Sequence, residues 1–191
     1  LHTFKAVKKM NTPVLVHIYT KKGKGNIPAE KDAIKYYSMN GLLNKKNGSM
    51  IANYSEVFGH SITQLAEKNE KILCITAAME LGTGMSPFIK KFPERYVDVG
   101  IAEEHAVTYS AGISAAGFVP VVPIYSTFMQ RAYDHIMHDA LLQNLPVIYC
   151  MDRAGLVGQD GPTHHGVFDI AFMRSLPGMI VTAPKDGNEL R

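Results

Sequence analysis

The 191 residues include only two cysteines, little net charge, no apolar stretch of membrane-spanning length and no segment with the make-up of a signal peptide. Each shortage excludes something. Cys74 and Cys150 each sit inside an apolar run, so they read as small buried hydrophobes in a reducing compartment rather than a disulfide framework. That points to a cytoplasmic protein. A net charge of +3, with lysines scattered apart from Lys21-Lys22 and Lys45-Lys46, argues against nucleic acid as a partner. Phosphate-tracking proteins concentrate their basic groups on one face. Without a long apolar run, no membrane association is expected either. What is present, 46% hydrophobic and 19% charged residues, is the composition of an ordinary globular protein. The length suits one sizeable core, or one domain plus a piece of another. The chain opens at Leu1 and stops at Arg191, just after Pro184-Lys185-Asp186 has set up a helix start. Both ends are therefore expected to be cuts in a longer protein.

Residues 14–19 form a β-branched run bounded by Pro13 and a Gly/Lys-rich stretch, which predicts a strand leading into a loop. Residues 38–50, rich in Asn, Gly and Lys and without periodicity, read as a linker. Beyond it the pattern becomes regular. Asn53 and Glu56 have capping-box spacing before apolar residues at helical intervals. Strands are predicted over 72–76, 96–99, 119–124, 147–151 and 179–182. Helices are predicted from Ser86-Pro87 (N-cap and N1) to 92, over 102–116 with Gly117 closing, and as one long helix over 127–143. Strands alternating with helices, the strands almost continuously apolar, imply an α/β fold: a parallel sheet covered by helices on both faces. In such sheets functional groups collect beyond the carboxyl ends of the strands.

Three junctions of that kind carry chemistry. At Asp98-Val99-Gly100-Ile101-Ala102-Glu103-Glu104-His105 a strand ends, a glycine turns the chain and two carboxylates open a helix. Acidic residues at a helix N-terminus are stabilised by the dipole alone, which is the plain reading. Against it, the helix is crowded with small residues (Ala106, Ser110, Ala111, Gly112, Ser114) and so is expected to be largely buried. Its first glutamate would then be partly desolvated and suited to sharing a proton. The second junction is the loop 152–166, with Arg153, Asp160, His164, His165 and four glycines directly after a buried strand. Arg153 suits phosphate or carboxylate, and either histidine suits proton transfer near neutral pH. Adjacent histidines with no cysteine nearby make a poor zinc site, and no metal ligand is assigned. The third is the segment 125–134, where Tyr125 and Arg131 would suit a flat cationic cofactor with an anionic substrate, while Phe128 and Met129 read equally well as core. Two motif hints fail. In Gly82-Thr83-Gly84 a proline, Pro87, stands where a dinucleotide fingerprint needs its third glycine, and Gly23-Lys24-Gly25 lacks P-loop spacing.

The stretches VLVHIYTKKGKG, KILCITAAM, RYVDVGIAEEHAVTYSAG, PVVPIYSTFMQRAYDHIMHD and LPVIYCMDRAGLVGQDGPTHHGVFDI together resemble the 1-deoxy-D-xylulose-5-phosphate synthases, relatives of transketolase. The resemblance implies that residues 1–37 are the tail of a first, diphosphate-binding domain, 38–50 a linker, and 51–191 a pyrimidine-binding domain truncated at its C-terminal end. It implies a thiamine-diphosphate-dependent transferase that condenses pyruvate with glyceraldehyde 3-phosphate, releases carbon dioxide and feeds isoprenoid, thiamine and pyridoxal biosynthesis. By the same resemblance Glu103 hydrogen-bonds the aminopyrimidine ring of the cofactor and Phe128 stacks on it. Tyr125, Arg131, Arg153 and Asp160 surround the substrates, and His164 shuttles protons. The family implies a homodimer in the cytoplasm, or in the plastid stroma, with Mg2+ held by a first domain that these residues do not contain.

Three positions depart from the family pattern. Asn26 stands where a cofactor-contacting tyrosine is usual, Tyr37 where a histidine is common, and Glu104 where a glutamine is frequent. With the diphosphate-binding Gly-Asp-Gly…Asn segment absent, the isolated chain is expected to be inactive. The competing readings are another member of the superfamily, such as a transketolase or a pyruvate dehydrogenase β-subunit, and a non-catalytic assembly domain.

Overall fold

The computed structural model describes residues 2–33, 36, 53–158 and 160–191. The expected linker 38–50, Tyr37 and Gln159 lie outside them. The chain divides into two units, Leu1–Met50 and Ile51–Arg191.

Among its described residues the first unit carries two short helices, α1 (His2–Val7) and α2 (Ile27–Lys31). Asn26 caps α2, its Oδ1 accepting from the Ala29 N–H at 3.3 Å. Glu30 ties the preceding turn, accepting from Lys21 Nζ at 2.6 Å and the Gly25 N–H at 2.9 Å. The strand expected over 14–19 does not form. Leu15 and Tyr19 are exposed, and no described strand pairs with them. A β-branched run becomes a strand only where a neighbouring edge supplies hydrogen bonds and packing.

The second unit carries α3 (Tyr54–Lys68), β1 (Ile72–Thr76), α4 (Ser86–Lys91), β2 (Tyr96–Asp98), α5 (Glu103–Ala115) and β3 (Val119–Tyr125). A segmented helix follows, then β4 (Ile148–Asp152), α8 (Asp169–Arg174) and α9 (Gly187–Leu190). The capping box at Asn53 and Glu56 is formed in both directions. All strand pairs are parallel, in the order β2-β1-β3-β4. Successive side chains point to opposite faces of a strand, and the core divides accordingly. Ile72, Cys74 and Val121 pack under α3 and α4 with Ile62, Met85 and Phe88, while Ile75, Val122 and Ile124 face Ala106, Val107, Met129, Ile136 and Met173. Helices therefore cover both faces, as the alternation of elements predicts. The strand order reverses between β1 and β3, which is where such sheets open a crevice beyond their carboxyl ends. No helix among the described residues is long and apolar enough to cross a membrane.

Four local expectations need correction. Ser86 is not the N-cap of α4; Met85 holds that position without a side-chain bond, and Pro87 lies in the first turn. The long helix over 127–143 is broken into α6 (Ser126–Met129), a 3-10 turn (Gln130–Ala132), α7 (Tyr133–His135) and a π-helical turn (Ile136–Leu141). Alternate tightening and widening of the turns sends Arg131 toward Glu103 while Met129, Ala132, Ile136 and Ala140 stay in the core. Residues 179–182 form no strand, and Ile180 is exposed; the described sheet ends at β4. Finally, α5 is buried on one face only: Ala106, Val107, Ser110 and Ser114 face inward, and His105 and Tyr109 face out.

Both cysteines are free. Burial pushes the Cys74 thiol far above its ordinary range and that of Cys150 up to about 12, so neither is a thiolate near neutral pH.

Candidate active site

The carboxyl ends of β1, β2, β3 and β4 each release a loop or helix, and the functional side chains stand on these. After β2, Asp98 fixes the turn by accepting from the N–H of Gly100 at 2.9 Å and of Ala78 at 2.8 Å. Gly100 adopts φ 72°, which a residue with a side chain rarely takes up. The turn delivers Glu103 as the first residue of α5, only 2% exposed. A carboxylate so deeply buried needs a partner. It has one: Arg131 Nη1 donates to Glu103 Oε1 at 2.6 Å. The Arg131 guanidinium also lies over the Phe128 ring, 4.9 Å from its centroid.

From Phe128 the contacts run on without a gap. Tyr125 stacks on Phe128 with centroids 5.9 Å apart. His164 meets both rings edge-on, at 5.2 Å from Phe128 and 6.2 Å from Tyr125. Arg153 lies 4.8 Å over the Tyr125 ring and donates from Nη2 to the phenol oxygen at 3.3 Å. Its Nε donates to Asp160 Oδ2 at 3.0 Å. Burial raises the Tyr125 pKa, although the nearby Arg153 cation opposes the shift, so the phenol keeps its proton and stays a donor. Arg153 itself stands at φ 61°, a strained conformation for a side-chain-bearing residue at the end of β4.

The structure thus brings together Glu103, Tyr125, Phe128, Arg131, Arg153, Asp160 and His164. Asn26 belongs to the other unit, where its side chain is the helix cap described above. The two histidines separate by role. His165 Nδ1 accepts from the Val157 N–H at 3.1 Å and staples the loop, while the His164 ring faces the aromatic pair. No group of three potential metal ligands occurs among the described residues.

Residue-by-residue inspection of the sequence misses the supports of this cluster. Ser55 Oγ, in the first turn of α3, donates to Asp152 Oδ2 at 2.6 Å, and Asp152 Oδ1 accepts from the Arg153 N–H at 2.7 Å. Ser126 Oγ lies 2.6 Å from both carboxylate oxygens of Asp169. Met79 Sδ accepts the Tyr125 N–H, and Gly82 leaves room for the Tyr125 hydroxyl. The only sequence signal for them is position: Asp152 and Ser126 lie at the junctions 152–166 and 125–134, and Asp169 is the second-last residue of the stretch GPTHHGVFDI.

The pairing of Glu103 with Arg131 predicts a measurable coupling. Because Arg131 is half exposed, solvent screens the pair, and a double-mutant cycle of Glu103→Gln with Arg131→Met should give only about 1 kcal/mol in thermal unfolding of the chain. Strict additivity of the two changes would show that the charge on Glu103 adds nothing to the contact.

Similarity to known proteins agrees with this geometry. Residues 51–191 match the family model "Transketolase, pyrimidine binding domain". The whole chain is 54% identical to 1-deoxy-D-xylulose-5-phosphate synthase 1 of Geobacter sulfurreducens, covering 31% of that protein. Against 1-deoxy-D-xylulose-5-phosphate synthase of Aquifex aeolicus, identity is 52% over 99% of this chain and 31% of that one. The chain therefore spans about a third of the length of these curated relatives. Among solved structures, a split-gene transketolase, described as an inactive beta4 tetramer, superposes with a TM-score of 0.63 at 32% identity, over 72% of this chain and 44% of that one. Transketolase from Leishmania mexicana, at 24% identity and a TM-score of 0.64 over 71% of this chain and 22% of that one, shares the fold. The chain belongs to the transketolase pyrimidine-binding domain family.

Proposed function

We propose that this chain is the pyrimidine-binding part of a 1-deoxy-D-xylulose-5-phosphate synthase, joining pyruvate to glyceraldehyde 3-phosphate with loss of carbon dioxide. The observation that carries the reading is the unbroken chain of contacts from buried Glu103, through Arg131 and Phe128, to His164, Tyr125 and Arg153. High identity to the named relatives along essentially the whole chain supports the same reading.

The residues suit the pyrimidine end of thiamine diphosphate. A carboxylate 2% exposed offers an acceptor to a ring nitrogen, and Phe128 offers a flat aromatic face beside it. When bound, the cofactor supplies the carbanion chemistry and the electron sink, which no side chain here provides. The chain's own residues do the rest. Glu103 holds or moves a proton at its carboxylate oxygen, in a setting from which water is excluded. Arg131 and Arg153 bring one cation to each ring of the aromatic pair, suited to the carboxylate of pyruvate and the phosphate of the aldehyde. Tyr125, kept protonated, orients a substrate oxygen, and Asp160 orients Arg153. His164, beside the stacked rings, gives and takes the proton at the acceptor carbonyl. Mg2+ held by another domain, a homodimeric assembly and a cytoplasmic or plastid-stromal location belong to the same proposal, on family resemblance.

The test is product analysis with the full-length protein. Pyruvate and glyceraldehyde 3-phosphate should yield carbon dioxide and a five-carbon deoxyketose phosphate in equal amounts. Ketose-to-aldose transfer without carbon dioxide would instead identify a transketolase. The isolated chain should show no turnover, because it offers only the pyrimidine half of the cofactor grip.

A further inference from the structure

We propose that Asp169 is a positioning residue for this site, acting through Ser126 to hold the loop 153–166 so that His164 and Arg153 stand against the Tyr125–Phe128 pair. The inference rests on the functional reading above but concerns residues to which that reading gives no task.

Ser126 is fully buried and directly follows Tyr125, two residues ahead of Phe128. Its hydroxyl has one hydrogen but lies 2.6 Å from both oxygens of the Asp169 carboxylate, so the hydrogen is shared across the fork. The other side of Ser126 touches the loop itself. A methyl group built on Gly166 would stand 2.0 Å from Ser126 Oγ and 2.7 Å from its Cβ, so the backbone of the returning strand lies directly on the serine. That return is locked to the outgoing strand. The Gly155 N–H donates to the Gly166 carbonyl at 3.0 Å, and the Gly166 N–H donates back to the Gly155 carbonyl at 2.8 Å. Thr127 adds a bond from Oγ1 to the Thr163 carbonyl at 3.3 Å, one residue before His164. Arg153 and His164 thus flank a Gly155–Gly166 base that sits on Ser126, and Asp169 fixes Ser126.

An ordinary role as a helix-dipole partner does not account for this geometry. Asp169 opens α8, yet α8 has no side-chain cap, and the carboxylate is directed at Ser126 across a sequence separation of 43 residues. Burial also raises its pKa from the ordinary aspartate value, while the Ser126 bond opposes the rise.

Two measurements test the proposal together. In the 191-residue chain, Asp169→Ala should speed hydrogen exchange on the order of tenfold across residues 155–166 while the amides of β1 and β3 keep their protection. Asp169→Asn, which retains an acceptor for the serine hydroxyl, should restore most of the protection, and Ser126→Ala should reproduce the alanine variant without adding to it. In the full-length protein, Asp169→Ala should lower kcat ten- to a hundredfold, as roughly an ångström of misplacement does. Affinity for thiamine diphosphate, measured by calorimetry, should change less than about twofold, because Glu103 and Phe128 lie off the loop. Unchanged loop exchange, or exchange speeded equally through β1 and β3, would overturn the proposal. So would failure of asparagine to rescue. If the unmodified full-length protein shows no synthase activity, the functional reading falls, and the exchange experiment still decides whether Asp169 holds the loop.

Discussion

Glu103→Gln in the full-length enzyme is expected to lower turnover by about 10²- to 10⁴-fold while the protein melts within a few degrees of the unmodified form. The side chain is 2% exposed, so a substitution there has to match its volume, and glutamine does. The amide oxygen can still accept from Arg131 Nη1, so the 2.6 Å contact survives as an ordinary hydrogen bond with the loss of one charge. The cost in stability should be about 1 kcal/mol. What the amide cannot do is take up and return a proton. Steady-state turnover and a circular-dichroism melt, measured on the same preparation, separate the two effects. Normal turnover in the variant would remove Glu103 from the chemistry. A collapse of the melting temperature alongside the loss would trace it to folding instead.

Glu103 was legible in the sequence because its surroundings are local. A strand, a glycine and a pair of acidic residues before a small-residue helix lie within ten positions, and Gly100 and Asp98 form the turn that the spacing calls for. The capping box of α3 and the alternation of parallel strands with helices were legible for the same reason. Residues 14–19 and 179–182 have strand-like composition, but a strand is a pairing, and composition does not say whether a partner edge will be present. The long helix over 127–143 has helical periodicity throughout. Its division into α, 3-10 and π turns follows from the tertiary demand to aim Arg131 at Glu103, 28 residues earlier in the chain. The site divides along the same line. Residue types at the junctions could be read directly, and resemblance attached roles to them. The partnerships could not be read, since Ser55 with Asp152 spans 97 residues and Ser126 with Asp169 spans 43.

Gly84→Ala is expected to destabilise the chain by about 2–4 kcal/mol, a fall of roughly 5–15 °C in Tm, although no catalytic group is touched. Gly82-Thr83-Gly84 looks like part of a dinucleotide fingerprint, but its glycines serve packing. Gly84 stands at φ 74°, and an added methyl would lie 2.1 Å from the Ser55 carbonyl oxygen in the first turn of α3. From the other side, a methyl on Gly59 would lie 1.9 Å from the Gly84 carbonyl oxygen. Backbone therefore meets backbone across this seam, and neither wall has a side chain that can swing away. Ser55, in the displaced turn, also holds Asp152 at the foot of Arg153, so the strain should reach the site. Gly82→Ala provides the contrast. Its methyl would lie 1.7 Å from the Tyr125 hydroxyl, the far end of a side chain that can move, so the loss of stability should be smaller. Moving that ring disturbs both the stack on Phe128 and the bond from Arg153, and turnover should fall about tenfold in the full-length enzyme. Thermal melts of both variants beside turnover of the second check the pair. If Gly82→Ala proved the more destabilising change, or left turnover untouched, the division between a rigid backbone seam and a movable ring would be wrong.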